Sequence, residues 1–450
     1  MRCSGRGHVN TQDDLSESLA RKFEDKTARI GVIGLGYVGL PLALTFVEAG
    51  FRVTGFDTDA TKIVSLMAGR SYIHHIPPSR IASRVLEGSL RATADFAGLS
   101  DQDAILICVP TPLTKQREPD MRYVLVTSET IARHLKRGQL VVLESTTYPG
   151  TTDELVQQAL DESGLRLGTD YLLAFSPERE DPGNRSFDTK NIPKLVGGVD
   201  AASGHAAEKL YAAALASVVR VADARTAEAA KLTENIFRGV NIALVNELKI
   251  VFDRMGIDIW KVLDAAETKP FGFMRFNPGP GWGGHCIPID PFYMAWKARE
   301  FDVATKFIEL AGEINVRMPE YVIGKLQTAL NEHGKPVKES RVLVLGVAYK
   351  ADIDDCRESP AFPIMEKLLT LGASVQFHDP YVSALPRTRG WPDFENMTSQ
   401  ALTETLVGSC DAVLLVTAHR AVDYELVRRN ARLIIDTRRV FEPSSRVVQA

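Results

Sequence analysis

Read for the alternation of apolar and polar positions, the chain divides into two stretches of strand–helix character with a long helical stretch between them. Short unbroken apolar runs mark strands buried on both faces. They occur at Ile30–Ile33, Asp103–Val109, Leu140–Glu144 and Tyr171–Phe175, and again within 341–350, 374–380, 411–419 and 432–437. Between the two sets, residues 226–255 contain no proline and one glycine, Gly239, before Gly256 closes the run. Leu232, Ile236, Val240, Ala243, Leu244 and Leu248 cover much of that helix's circumference, which predicts a buried helix. A further helical region is expected from Pro291 to about Glu332, after which HGKPVKES breaks the chain with turns. Residues 1–28 are polar and of mixed charge, and are expected to form a frayed leader with one short amphipathic helix, DDLSESLARKF.

The first apolar run enters Gly34-Leu35-Gly36-Tyr37-Val38-Gly39, then a helix, Gly50 and a second strand ending at Asp57, 18 positions after Gly39. A bare GxGxxG says little, but between a strand and a helix, with an acid at that distance, it is a dinucleotide fingerprint. Gly34 makes the tight turn, Gly36 lets the backbone approach a pyrophosphate, and Gly39 lets helix pack on strand, with Tyr37 and Val38 completing the cradle at the helix N-terminus. Asp57 would accept from the adenosine ribose hydroxyls and repel a 2′-phosphate, so NAD is expected over NADP. Strand ends carry Thr111, Ser145, Thr146 and Thr147. These hydroxyls either face the cofactor or cap helices, and Thr111 and Thr146 are assigned to the cofactor. The second α/β stretch repeats the plan with Gly346 and an acid, Asp379, and supplies Lys350 and Arg357 suited to a diphosphate, Lys350 on the substrate side and Arg357 on the cofactor side. The fold class is therefore α/β: two Rossmann-like doubly wound parallel-sheet domains joined by a central helical domain with one long helix. The expected boundaries are a leader at 1–28 and domains at 29–222, 223–332 and 333–450.

Composition narrows the picture. A net charge of −4 without basic clustering argues against nucleic acid as a partner. No run approaches about 18 apolar residues, so no membrane span is expected. Five scattered cysteines (Cys3, Cys108, Cys286, Cys356 and Cys410) show neither a disulfide framework nor metal-ligand spacing. No metal is expected, and the pattern reads as a reduced cytoplasmic protein.

The stretch PFGFMRFNPGPGWGGHCIPIDPFY, 270–293, is dense in glycine and proline and presents Cys286 after Gly283-Gly284, with Asp290 four residues on. Such a cysteine is either a nucleophile or a buried thiol in an irregular connection. His285 is rejected as its base, since neighbouring side chains on an extended loop point to opposite sides. Lys231 and Asn235 stand four apart on the long helix, hence on one face, and polar groups on a mostly apolar helix need partners. Glu178 and Arg179 follow another strand end; Glu178 is either a base or half of a surface ion pair.

The ordered motifs GVIGLGYVGLPLA, VPTP (109–112), ESTTYPGTT (144–152), KLTEN (231–235), GWGGHCIPID (281–290) and AYKADIDDCRESP (348–360) resemble the UDP-glucose/GDP-mannose dehydrogenase family from about residue 29 to the end. GPGWGGHCIPIDPFY and SPERE resemble the branch acting on UDP-N-acetylhexosamines. The UDP-glucose branch typically has Lys immediately before the Asp that follows its cysteine, where this chain has Ile289. It also has an apolar pair after the motif's Glu, where this chain has Arg179 and Glu180. UDP-N-acetylglucosamine is thus the expected substrate, with the galactosamine and mannosamine epimers as neighbours.

The resemblance implies two NAD-dependent oxidations of the sugar's 6-hydroxyl to a uronic acid, in a homodimer or larger homo-oligomer serving polysaccharide synthesis. Cys286 would form a thiohemiacetal and then a thioester. Lys231 and Asn235 would stabilise the oxyanions, Glu178 and Asp290 would handle water and protons, and Thr111 would assist. Arg179, Arg275, Phe276, Gly283 and Lys350 would join Glu178, Lys231 and Asn235 around the substrate. A two-electron hydroxyacid dehydrogenase and a non-catalytic NAD-binding regulator are the alternatives. Neither needs Cys286, and the first leaves the C-terminal α/β stretch without purpose.

Overall fold

The computed structural model describes residues 11–73, 76–114, 116–179, 191–284, 287–388 and 390–450, with side chains from residue 14. By internal contacts the chain forms two units, Met1–Glu234 and Asn235–Ala450.

The first unit is built on an eight-stranded sheet: β1 (Arg29–Ile33), β2 (Arg52–Phe56), β3 (Leu90–Thr93), β4 (Ala104–Ile107), β5 (Gln139–Leu143), β6 (Tyr171–Phe175), β7 (Lys194–Gly198) and β8 (Val218–Arg220). Its order is β3-β2-β1-β4-β5-β6-β7-β8, parallel except where β7 meets β6. The first six strands follow the doubly wound order, with the crossover from β3 to β4 passing over β1. Alternate residues feed opposite cores. Ile30 and Val32 pack into one cluster with Leu40, Leu44 and Phe46, while Ile33, Ile105 and Ile107 pack into the other. Burial on both faces is why these strands read as unbroken apolar runs rather than alternating ones. The short strands β3, β7 and β8 do not stand out in the sequence: each has polar or basic positions, and β8 is half-buried at best.

The amphipathic helix expected in the leader is present, but from Thr11 onward the segment docks rather than frays. It is helical over Thr11–Glu24, with Leu19 and Phe23 inside the first core and Leu15 packed against it. Ser16 Oγ donates to the Ala202 carbonyl at 3.0 Å, and Glu24 pairs with Lys209 at 2.9 Å. Leu15, Leu19 and Phe23 lie on one helical face, and that face is what docks.

The long helix runs Ala224–Arg254 and crosses the boundary between units. Leu232 and Ala243 are buried as expected, but Leu244 is 53% exposed, with Phe237 and Val251, seven residues to either side, also exposed. The expectation of a helix buried all round is corrected to one with an apolar stripe left uncovered.

In the second unit the long helix is followed by helices Ile259–Glu267, Asp290–Arg299 and Lys306–Glu332, so the region expected to be helical from Pro291 is interrupted at 300–305. A parallel five-stranded sheet then follows, of β9 (Arg341–Leu345), β10 (Ser374–His378), β11 (Ala412–Leu415), β12 (Ile434–Asp436) and β13 (Val447–Gln449), in the order β10-β9-β11-β12-β13. Val342 and Val344 face one core, and Leu343 and Leu345 the other. No helix among the described residues is long and apolar enough to cross a membrane.

Candidate active site

In the first unit the β1 turn has the shape its glycines require. Gly34 takes φ +90, and a Cβ there would stand 2.5 Å from the Cys108 carbonyl oxygen. A Cβ on Gly39 would meet the Gly34 carbonyl oxygen at 1.8 Å, whereas one on Gly36 would find no atom within 4 Å. Gly39 thus answers to packing, and Gly36 to an open face. The helix Gly39–Glu48 begins there with no side-chain cap; Leu40 gives its N–H to the Gly36 carbonyl at 3.1 Å and Pro41 has none, so an anion would meet the Gly39 N–H at the helix start. Tyr37 and Val38 pack partly against the core beneath. Asp57, at the end of β2, ties the turn down: its carboxylate accepts from the Leu35 N–H at 2.8 Å and the Asp59 N–H at 2.9 Å, and pairs with Lys62 at 3.1 Å. An open glycine face, an uncapped helix N-terminus and a ribose-side acid fit a dinucleotide.

Thr111 and Thr146 are half-buried on the loops after β4 and β5. Ser145 turns inward, its Oγ donating to the Val109 carbonyl at 2.7 Å, so it braces the β4 loop. The hydroxyl of Thr147 is fully buried and makes no hydrogen bond among the described residues.

Glu178 follows β6. One carboxylate oxygen accepts the Arg179 N–H at 2.7 Å, and the other is 3.7 Å from the buried Lys194 ammonium. The nearby arginine is engaged elsewhere: Arg179 binds Glu234 at 2.6 Å and the Pro193 carbonyl at 2.6 Å. Lys231 is buried on the long helix. One turn before it, Glu228 is also buried and accepts from the N–H groups of Gly150 (2.7 Å) and Thr152 (2.9 Å) and from the Thr152 hydroxyl (2.7 Å). This carboxylate, which the sequence reading missed, anchors KLTEN to ESTTYPGTT. Its place on the face of Lys231 and Asn235, three and seven residues before them, was the available signal.

In the second unit Asn235 donates its side-chain amide to Asp290 at 2.5 Å, and both residues are buried. Cys286 and His285 lie outside the described residues. Up to Gly284 the glycine loop is pressed onto the turn after β9. A Cβ on Gly283 would stand 2.9 Å from Tyr349 Cβ and 3.1 Å from Pro360, and one on Gly284 would stand 2.9 Å from the Tyr349 ring. Three motifs, GWGG, AYK and ESP, meet at that point, which the sequence does not reveal. Trp282 lies beside Gly239 of the long helix, where a Cβ would stand 3.5 Å from the indole ring.

Arg275 is held by Asp264 and Glu267, each at 2.8 Å, and Phe276 packs edge-on to Phe237 with ring centroids 5.9 Å apart. Lys350 is half-buried beyond β9, and Arg357 forks onto Asp355. Asp379 ties down its own turn as Asp57 does, both oxygens accepting from the N–H groups of Val347, Ala348, Tyr381 and Val382, and it also meets His419 at 3.0 Å. The Asp352 N–H donates to His419 Nδ1, so Nε2 carries the proton given to Asp379. Arg438 is a second residue missed from sequence. Its Nε donates to the Val416 carbonyl at 2.7 Å, and its Nη1 would stand 2.5 Å from a Cβ on Gly279. Burial pushes its pKa down to about 10.

Comparison with known proteins matches the chain in three parts. Residues 28–215 match the NAD binding domain of the UDP-glucose/GDP-mannose dehydrogenase family, 225–317 its central domain, and 343–443 its UDP binding domain. A UDP-N-acetyl-D-mannosamine dehydrogenase of Pyrococcus horikoshii is 35% identical over 92% of this chain and 96% of its own length. A solved UDP-D-ManNAc dehydrogenase from that organism superposes with a TM-score of 0.83 at 33% identity, covering 92% of this chain and 96% of the other. A UDP-N-acetyl-D-glucosamine 6-dehydrogenase of Pseudomonas aeruginosa is 36% identical over 80% of this chain and 84% of its own. An NDP-N-acetyl-D-galactosaminuronic acid dehydrogenase of Ralstonia solanacearum is 35% identical over 93% and 98%. The chain is a nucleotide-sugar oxidoreductase that uses NAD, and it belongs to the UDP-glucose/GDP-mannose dehydrogenase family.

Proposed function

We propose that the chain oxidises the 6-hydroxyl of a UDP-N-acetylhexosamine to the uronic acid, with UDP-N-acetylglucosamine as the leading substrate. The observation that carries this reading is the buried Asn235–Asp290 hydrogen bond. It joins the KLTEN helix to the acid four residues beyond Cys286, an arrangement a two-electron dehydrogenase or a passive NAD binder does not require.

NAD supplies the acceptor for each of two hydrides. Lys231 and Asn235 are fixed donors for the sugar oxygen as it gains negative charge. Cys286, as thiolate, adds to the aldehyde left by the first oxidation; loss of hydride from that adduct leaves a thioester. A water that gives its proton to Glu178 or Asp290 displaces the thiolate and releases the carboxylate. Thr111 assists on the cofactor side. For the diphosphate, Lys350 and Arg438 supply charge in the second unit, with Arg357 kept for the cofactor. We retain domains at 29–222, 223–332 and 333–450 for NAD, the cysteine loop and UDP, a division the three family matches support. The exposed stripe on the long helix supports a homo-oligomer, and the cysteine pattern supports a cytoplasmic location.

The test is to count NADH formed per UDP-N-acetylglucosamine consumed. Two supports this reading, one supports a hydroxyl dehydrogenase that stops at the first oxidation, and none supports a binder. A second reading, UDP-N-acetylmannosamine, is favoured by the Pyrococcus horikoshii relative aligned over 92% of the chain. Comparing kcat/KM for the three epimers separates them.

A further inference from the structure

Behind Glu178 lies a buried charge cluster to which the proposed reaction gives no part. Lys194, the first residue of β7, sits between two carboxylates: Glu144, just beyond β5, at 2.7 Å and Glu178 at 3.7 Å. The Glu144 side chain is fully buried and that of Lys194 nearly so, while Glu178 is the most exposed of the three. The second oxygen of Glu144 receives the Tyr211 hydroxyl, from the helix Ala201–Ala212. Cys108, beyond β4, borders the cluster as an uncharged thiol, since burial pushes its pKa well up. Arg179 gives Glu178 only its backbone N–H, its guanidinium being directed to Glu234.

A buried ammonium is tolerated only when paired. Burial opposes the charge on Lys194, but Glu144 and Glu178 outweigh it and raise its pKa. Beside Glu178 alone, such a cation would hold the carboxylate ionised and make it a poor proton acceptor. Glu144, closer and bonded from its other side by Tyr211, competes for the same ammonium. Lys194 can then fix the Glu178 carboxylate without cancelling its basicity.

We propose that Lys194 is a positioning residue for Glu178, and that Glu144 sets how much of the Lys194 charge Glu178 feels. The proposal rests on the reading of Glu178 as a water or proton handler. It predicts opposite effects from two substitutions in one cluster, which a purely structural role does not. In Lys194→Met the positive charge between the two carboxylates is lost, so Glu178 takes up a proton more readily. In the isosteric Glu144→Gln the ammonium answers to Glu178 alone, which then gives up its proton more readily.

The experiment is the pH profile of kcat, which includes thioester hydrolysis, with UDP-N-acetylglucosamine or, if it is not turned over, UDP-N-acetylmannosamine. It is run on the full chain with NAD binding and thermal melting as controls of fold. The acid limb should move up by on the order of one pH unit in Lys194→Met and down by a similar amount in Glu144→Gln, and should stay near wild type in Lys194→Arg. Shifts of the same sign, or an unmoved limb in Glu144→Gln, overturn the proposal; if Lys194→Met does not fold, Glu144→Gln decides alone. Glu178→Gln isolates the underlying reading: if it keeps the wild-type rate and acid limb, Glu178 is not the base, whatever Lys194 does.

Discussion

Glu228 holds Thr152 twice, accepting its N–H at 2.9 Å and its hydroxyl at 2.7 Å, in a site closed to solvent. The carboxylate lies one helical turn before Lys231 and pins the long helix to the loop after β5. Burial pushes its pKa up from 4.5 to about 7, against the three hydrogen bonds that favour the charged form.

A raised carboxyl pKa means that the folded chain binds the proton more tightly than the unfolded one. The resulting stabilisation is present in full below about pH 4.5 and lost as pH rises to about 7. Across that window it amounts to on the order of 3 kcal/mol. Glu228→Gln cannot ionise, so the stability of wild type relative to this variant should fall from pH 4.5 to 7 and level off above, read by denaturant unfolding at stepped pH. A flat difference would remove Glu228 as the titrating group.

Gly36 and Gly39 should separate binding from folding. Gly36→Ala has room for its methyl, so its melting temperature without NAD should match wild type, while NAD affinity falls about tenfold or more because the methyl occupies the pyrophosphate's approach. Gly39→Ala drives a methyl into the Gly34 carbonyl and should lower the melting temperature before any cofactor is added. Calorimetry with and without NAD reads both.

Asn235→Ala leaves the buried Asp290 carboxylate without its amide donor. A loss of about 1–3 kcal/mol in stability is expected, with kcat reduced on the order of a hundredfold. Steady-state NADH formation checks the second figure. A variant that loses stability and keeps kcat would confine Asn235 to a structural part.

Phe237, Leu244 and Val251 repeat at seven-residue spacing on the long helix and are 49%, 53% and 44% exposed. Apolar side chains in such a row call for a cover. Wild type should sediment as a dimer or larger species and Leu244→Glu as a monomer, with an unchanged circular dichroism spectrum. A monomeric wild type would remove the homo-oligomer from the proposal.

Much of this was open to reading from residue order alone, because it depends on local rules. Strands buried on both faces show as apolar runs, the turn at Gly34–Gly39 needs glycines at fixed spacing, and a helix with few breakers runs from 224 to 254. Both sheets, the NAD turn and the motifs of the family follow from these. Short strands with polar positions, such as β3 and β8, fall below that threshold, since their pairing is set by neighbours rather than by their own composition. Partnership between distant residues is likewise invisible in residue order. Only folding brings Asn235 to Asp290, Glu228 to Thr152, and Lys194 between Glu144 and Glu178. It also brings His419 to Asp379, which otherwise holds its turn as Asp57 does. Hydrogen bonds and ion pairs form wherever the packed backbone brings donor and acceptor within about 3 Å, and between residues far apart in the chain that meeting is a property of the tertiary structure.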